Sequence, residues 1–333
     1  MNFPEKSTIG VVGAGAWGTT LALLLAQNGW KVKLWAFEKE VAEEINRDRR
    51  NSIYLEDVLL PEGIEASEDL SFMEDVERLI IAVPSAFYSS VAGDLARHVK
   101  GGARIISATK GFIGDELKRP SEFLREVFPG YKIGVLSGPN LAREIAAGLH
   151  AISLVSSEDE ELVREFQMIL SSERFRVYGG TDIIGTELGG ALKNIYAIAA
   201  GIAEGFHLGE NALAALITRG LAEMIKLGKF LGAQERTFFG VSGLGDLVCT
   251  CQSKLSRNHQ VGVKIAEGRR LEEVQAEMKA VAEGIDTTRH VHHFAISHDL
   301  DLPITRAVYK VLFEGTNPGQ ALHELMTRTL KME

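Results

Sequence analysis

An apolar run, Thr8 to Val12, leads straight into Gly13-Ala-Gly15-Ala-Trp-Gly18 and then into a helical stretch ending near Asn28. Glycines at that spacing, between a strand and a helix, leave the chain few options. Gly13 permits a tight turn, Gly15 lets a ligand approach the backbone, and Gly18 lets the helix lie against the strand. The helix N-terminus then offers unbonded N–H groups to an anion, and the pyrophosphate of a dinucleotide is the group this turn suits. The plainer alternative is a glycine-rich turn with no ligand. The position at the head of a strand–helix alternation favours the dinucleotide.

That alternation continues to about residue 180. Lys31–Ala36, Leu79–Val83, Arg104–Ala108, Lys132–Leu136, Ala151–Val155 and Arg174–Tyr178 read as further strands, with helical patterns such as Phe87–His98 and Asn140–Ala147 between them. Strands alternating with helices predict a parallel sheet covered on both faces. After Asp182 only helical patterns remain, from Glu187–Ala203 through Gln320–Lys331. The expectation is an α/β protein: a Rossmann-like, mainly parallel sheet domain over residues 1–181, then an all-helical domain over 182–333.

The rest of the chain narrows the class. Of the 333 residues 24% are charged and the net charge is -9, which argues against nucleic acid or an anionic membrane as principal partner. Cys249 and Cys251 are the only cysteines. They fit neither a disulfide framework nor a four-ligand zinc site, so a reducing compartment, the cytoplasm, is expected. The N-terminus lacks the apolar core of a signal peptide, and no apolar run is long enough to span a bilayer.

The dinucleotide's identity stays open. After the second strand the chain reads Trp35-Ala-Phe37-Glu38-Lys39, with Arg47, Arg49 and Arg50 further on. An acidic residue there suits the ribose hydroxyls of NAD and a basic one the extra phosphate of NADP; both are present. In open parallel sheets ligands sit beyond the carboxyl ends of the strands. Lys110, in Thr109-Lys110-Gly111, lies at such an end and is read either as a cation facing the crevice or as a solvated loop lysine. Ser137 and Asn140, in Ser137-Gly138-Pro-Asn140, are read either as ligand contacts or as caps of the helix that follows.

In the helical half one lysine stands out. Lys193 is the only charged residue between Glu187 and Glu204, in a run otherwise apolar or small around most of its circumference. A buried ammonium needs a carboxylate or an anionic ligand to offset its desolvation. Lysines so placed transfer protons, or snorkel, or form structural ion pairs. Asp246, in the glycine-bounded stretch Gly243-Leu-Gly245-Asp246, is a candidate partner or an ordinary turn aspartate. Ser256-Arg257-Asn258 opens a helix, and a cap hydroxyl, free N–H groups and a guanidinium together suit a phosphate. A plain helix cap with an exposed arginine is the alternative. His290, His292, His293 and His298 crowd one helix, but none shows the i, i+4 pairing of a helical zinc site, so no metal is expected and an inter-helix or surface role is.

With these pieces located, the chain resembles the bacterial-type NAD(P)-dependent glycerol-3-phosphate dehydrogenases over essentially its full length. The matching stretches are Gly13–Gly18, Ala108–Gly111, Ser137–Asn140, Gly189–Asn194, Thr218–Glu223, Gly243–Leu247 and Ser256–Asn258. The resemblance implies a homodimer that interconverts dihydroxyacetone phosphate and sn-glycerol 3-phosphate with NAD or NADP, for glycerophospholipid synthesis. It makes Lys193 the catalytic acid/base. It puts Lys110, Gly138, Asn140, Lys193, Asp246, Thr250, Ser256, Arg257 and Asn258 at substrate positions. Cofactor positions, beside Gly13, Gly15 and Gly18, are Ala16, Trp17, Phe37, Lys110, Ala142, Arg257, Val281 and Glu283. Three residues depart from the pattern: Ala16 replaces a frequent serine, Phe37 a histidine or arginine, and Asn140 a serine or threonine. Two other readings compete: a related two-domain dehydrogenase of hydroxy acids or acyl thioesters, and a non-catalytic dinucleotide sensor.

Overall fold

The computed structural model describes residues 8–114, 117–278, 281–329 and 332. Contacts divide the described residues into two compact units, one of residues 8–113 with Lys118–Glu187, the other of those from Leu188 onward with Gly114 and Leu117.

The first unit is a single sheet. Its strands are β1 (Ile9–Val12), β2 (Val32–Trp35), β3 (Ile64–Ser67), β4 (Arg78–Ile81), β5 (Arg104–Ser107), β6 (Lys132–Ser137), β7 (Ala151–Ser156) and β8 (Phe175–Gly180). They lie in the order β3-β2-β1-β4-β5-β6-β7-β8. Every pair from β3 to β6 is parallel; β7 runs antiparallel to β6 and parallel to β8. The first six strands therefore have the doubly wound order, whose topological switch falls between β1 and β4, beside the glycine turn. The expected mainly parallel sheet is present, with one strand more than the sequence suggested.

Helices cover both faces: α1 (Ala16–Gln27), α2 (Lys39–Asp48), α3 (Ser85–Leu95), α4 (Pro120–Val127), α5 (Ala142–Ala146) and α6 (Glu160–Leu170). Alternate strand residues divide between two buried clusters. Val11, Leu34, Ile80 and Ile106 pack with α1 and α6, whereas Val12, Leu79, Ile81 and Ile105 pack with α3 and α4. Burial on both faces explains why these strands read as continuous apolar runs. The outer edge of β8 is covered: Val177 N donates to Ser171 Oγ (3.2 Å), and Gln167 Nε2 donates to Val177 O (3.1 Å). Such cover removes an edge for strand-to-strand association.

The second unit is helical: α7 (Ile183–Gly205, which begins in the first unit), α8 (Gly209–Phe230), α9 (Glu235–Phe238), a π-turn (Val241–Gly245), α10 (Asp246–Gln252), α11 (Arg257–Ala266), α12 (Leu271–Glu277), α13 (Gly284–Ser297), α14 (Pro303–Phe313) and α15 (Pro318–Met326). From Gly185 to Ile198 every residue of α7 is buried, so it is a central helix with no polar face. His292 and His293 form an aromatic seam between α13 and α14. His292 stacks on Tyr309 at 3.7 Å between centroids, and His293 Nε2 lies 3.2 Å from the Tyr309 hydroxyl. His298 stacks on Phe294 of its own helix. For His292 and His293 this is an inter-helix role. Among the described residues no group of three His, Cys, Asp or Glu side chains could hold a metal ion. Nor is any described helix long and apolar enough to cross a membrane.

Candidate active site

In the sheet unit the glycine turn is built to receive a phosphate group. Gly13 has φ of +113°, a conformation that disfavours any side chain. A Cβ on Gly18 would lie 1.7 Å from Gly13 O, so only glycine lets α1 start this close to β1. A Cβ on Gly15 would meet nothing within 4 Å, which leaves the approach to the backbone open. Gly15 is the N-cap of α1 and supplies no side-chain cap to its first N–H groups. The loop is braced from outside the motif: buried Asn51 donates through Nδ2 to Ala14 O and Thr19 Oγ1, both at 2.8 Å. The indole Nε1 of Trp17 is buried without an acceptor among the described residues. Open space at Gly15, an uncapped helix start and a braced loop fit a dinucleotide pyrophosphate.

Around this turn, Ala16 and Trp17 open α1, and Ala142, at the start of α5, accepts from Thr20 Oγ1 of α1 at 3.3 Å. Phe37 follows β2 with 78% of its surface exposed. Glu38 beside it accepts from the Tyr54 hydroxyl at 2.6 Å, an acidic residue held in place near the end of β2. At the ends of β5 and β6, Lys110 Nζ donates to Gly138 O at 2.7 Å. Neither Ser137 nor Asn140 caps α5, whose N-cap is Leu141 with no side-chain bond. Instead Asn140 joins β7, accepting from Ser153 Oγ at 3.2 Å and donating to Ile152 O at 3.3 Å. The helix-cap alternative is thereby excluded.

In the helical unit Lys193 is 9% exposed and does not snorkel. Its Nζ donates to Asp246 Oδ1 at 2.5 Å and to Thr250 Oγ1 at 2.6 Å. The Thr250 hydroxyl donates in turn to Asp246 O at 2.7 Å, so its proton is engaged and its lone pair serves the lysine. Asp246 is 1% exposed and opens α10 directly after the π-turn, rather than sitting in a loose glycine turn. A π-turn inserts an extra residue into helical winding and re-aims the side chain after it. Nearby, Cys251 is buried and its thiol is pushed up to about 12, so it stays protonated and inert.

The start of α11 carries the second polar group. Ser256 is the N-cap and accepts from His259 N at 3.3 Å. Asn258, buried, donates through Nδ2 to Asn194 Oδ1, and Gly284 N donates to Asn258 Oδ1, both at 2.9 Å. Arg257 is exposed; its guanidinium is held below its ordinary pKa by partial burial, with the Glu283 carboxylate opposing that shift. Val281 lies before α13, 36% exposed. Asn51, Asn194 and Gly284 were missed as site-building residues by the sequence reading. Asn194 had a signal, being next to Lys193; Asn51 and Gly284 had none, since long-range contacts alone define their parts.

A doubly wound sheet with a glycine cradle, followed by a helical unit enclosing a paired lysine, defines the class: a dinucleotide-dependent dehydrogenase of the two-unit kind. The particular family follows from comparison with known proteins. Profiles described as the N-terminus and the C-terminus of NAD-dependent glycerol-3-phosphate dehydrogenase match residues 8–163 and 182–323, and the chain belongs to that family. A glycerol-3-phosphate dehydrogenase [NAD(P)+] of Syntrophotalea carbinolica is 45% identical, over 98% of this chain and 99% of its own. The crystal structure of glycerol-3-phosphate dehydrogenase from Coxiella burnetii superposes with a TM-score of 0.93 at 39% identity, covering 98% of this chain and 100% of that one. A ketopantoate reductase from Ralstonia eutropha shares the fold alone, at a TM-score of 0.59 and 16% identity.

Proposed function

We propose that this protein reduces dihydroxyacetone phosphate to sn-glycerol 3-phosphate with NADH or NADPH, supplying the backbone of glycerophospholipids. The observation that carries the reading is the buried Lys193 ammonium, held by Asp246 and Thr250 at 2.5 and 2.6 Å. A bound reduced nicotinamide supplies hydride to the carbonyl carbon. As charge grows on the carbonyl oxygen, Lys193 is the group assigned to meet it. An ammonium has three N–H donors; Asp246 and Thr250 take two, and the third remains for the oxygen, to stabilise it and to pass on a proton. Asp246 holds the lysine in place and aims it.

The phosphate grip is assigned to Ser256, Arg257 and Asn258 at the start of α11, where helix dipole, N–H groups and guanidinium act together. Binding energy spent there, away from the reacting carbon, orients the carbonyl. The cofactor is assigned to the Gly13–Gly18 cradle with Ala16, Trp17, Phe37 and Ala142, and to Arg257, Val281 and Glu283. Lys110 is assigned to both ligands, and Gly138 and Asn140 to the substrate. A cytoplasmic homodimer is part of the same proposal: the compartment rests on the cysteine usage and the polar N-terminus, the dimer on the resemblance.

One assay tests it: NADH and NADPH oxidation with dihydroxyacetone phosphate, beside 2-oxo acid and acyl-thioester controls. Oxidation is expected with the phosphorylated ketone only, and Lys193→Met should lower kcat by at least about 100-fold. Turnover of the controls alone, or near-normal turnover by the variant, would overturn the reading.

A further inference from the structure

Asn258 has a direction built into it. A side-chain amide has a donor edge and an acceptor edge of nearly the same shape, and the hydrogen-bond network decides which faces where. Here Gly284 settles the matter, because a backbone N–H only donates. Its N lies 2.9 Å from Asn258 Oδ1, which fixes the oxygen toward α13. The nitrogen then faces Asn194 Oδ1, also at 2.9 Å, and spends one N–H there. Of the two N–H donors on Asn258 one remains uncommitted, while the oxygen, fixed toward α13, keeps a second lone pair. All three residues are buried, so a reversed amide would set its NH2 against the Gly284 N–H and leave that backbone donor without an acceptor. A buried, unsatisfied backbone N–H is costly, and that cost holds the present orientation.

Gly284 is also constrained sterically. A Cβ there would lie 2.7 Å from Asn194 O and 2.7 Å from Asn258 Oδ1, although its backbone φ is one that other residues adopt. The absent side chain is what lets the first turn of α13 reach both asparagines.

We propose that Gly284 is a positioning residue for phosphate selection: its N–H pins the Asn258 amide so that Asn258 presents its remaining N–H, and not its oxygen, to the anion. The inference rests on assigning the phosphate grip to Ser256, Arg257 and Asn258. A flipped Asn258 would turn an oxygen toward the phosphate and convert attraction into repulsion.

The test compares kcat/KM for dihydroxyacetone phosphate with that for unphosphorylated dihydroxyacetone, in the full-length enzyme. Gly284→Ala crowds the lock. Asn258→Asp keeps the shape and the acceptor for Gly284 but replaces the NH2, and with it the donor to Asn194 and the remaining donor, with a negatively charged oxygen. Both should lower the phosphorylated-to-unphosphorylated ratio at least about tenfold, chiefly through a higher KM for the phosphorylated substrate and weaker competitive inhibition by inorganic phosphate. If Gly284→Ala fails to fold, the aspartate variant still reads the ratio. A purely structural lock would depress both substrates equally, and an unchanged ratio in folded variants overturns the proposal. Wild-type enzyme that does not discriminate between the two substrates would instead overturn the assignment of the grip itself.

Discussion

Glu187, near the start of α7, is a residue whose charge opposes folding. Its carboxylate is buried and accepts from Ser121 N (2.8 Å), Ser121 Oγ (2.5 Å) and Arg119 Nε (3.2 Å). Burial still outweighs these partners and raises its pKa from the usual 4.5 to about 7. A carboxyl whose folded pKa lies above its unfolded value binds its proton more readily when folded. Its favourable contribution is complete below about pH 4.5, declines as pH rises, and is gone above about pH 7. A displacement of that size corresponds to roughly 3 kcal/mol. Glu187→Gln keeps the shape and removes the titration. Relative to wild type, the variant should therefore gain stability between pH 5 and pH 8, by about 2–3 kcal/mol in urea unfolding. A wild-type-minus-variant difference that does not change with pH would refute the buried-carboxyl account. His292, whose pKa burial lowers, acts with the opposite sign, its contribution being lost as pH falls; the difference measurement cancels it.

At the scale of elements, α7 is gripped through glycines. A Cβ on Gly201 would lie 2.0 Å from His259 O, one on Gly262 of α11 2.0 Å from Ile198 O, and one on Gly189 2.4 Å from Ser242 O in the π-turn. Gly220 of α8 lies flat against the Tyr196 ring, where a Cβ would be 2.8 Å away. These backbone-to-backbone approaches position α10 and α11 against the helix that carries Lys193 and Asn194. Gly262→Ala should accordingly destabilise by at least about 2 kcal/mol, since neither backbone can yield. Gly93→Ala, in the interior of α3 with nothing within 4 Å of its Cβ, should stabilise by about 0.5–1 kcal/mol through helix propensity. Thermal or urea melts of the two variants check both signs, and equal effects would show that packing at these glycines is irrelevant. The apolar seam of α7 made the helix and its odd lysine legible in the sequence, because periodicity and a lone charge are local signals. The grip was not legible, because a glycine in a helix looks like a weak point until its neighbour is known. β3 was missed for a related reason: Ile64-Glu-Ala-Ser67 at the sheet edge buries only Ala66 and carries little apolar signal. The π-turn read as a glycine turn since its winding has no side-chain signature.

For the whole molecule, the change of rhythm at Asp182 marks where strands end, whereas contacts divide the chain between Glu187 and Leu188. The difference has a cause: the first turns of α7 are tied to the sheet unit by Glu187 with Ser121, and by Thr186 with Ser156 Oγ at 2.8 Å. The division therefore falls inside a helix that runs unbroken from Ile183 to Gly205. A flexible linker would let each unit unfold by itself. A continuous helix makes that costly, because fraying it from one side breaks backbone hydrogen bonds that cross the division. Cofactor bound at the glycine cradle should then stabilise the entire chain rather than the sheet unit alone. At a free NADH concentration of 100 times its Kd, the expected gain is about 2.7 kcal/mol. In calorimetry this should appear as one transition that moves to higher temperature as a single peak. Two peaks, of which NADH moves only one, would show that α7 does not couple the halves and that their stabilities are separate quantities.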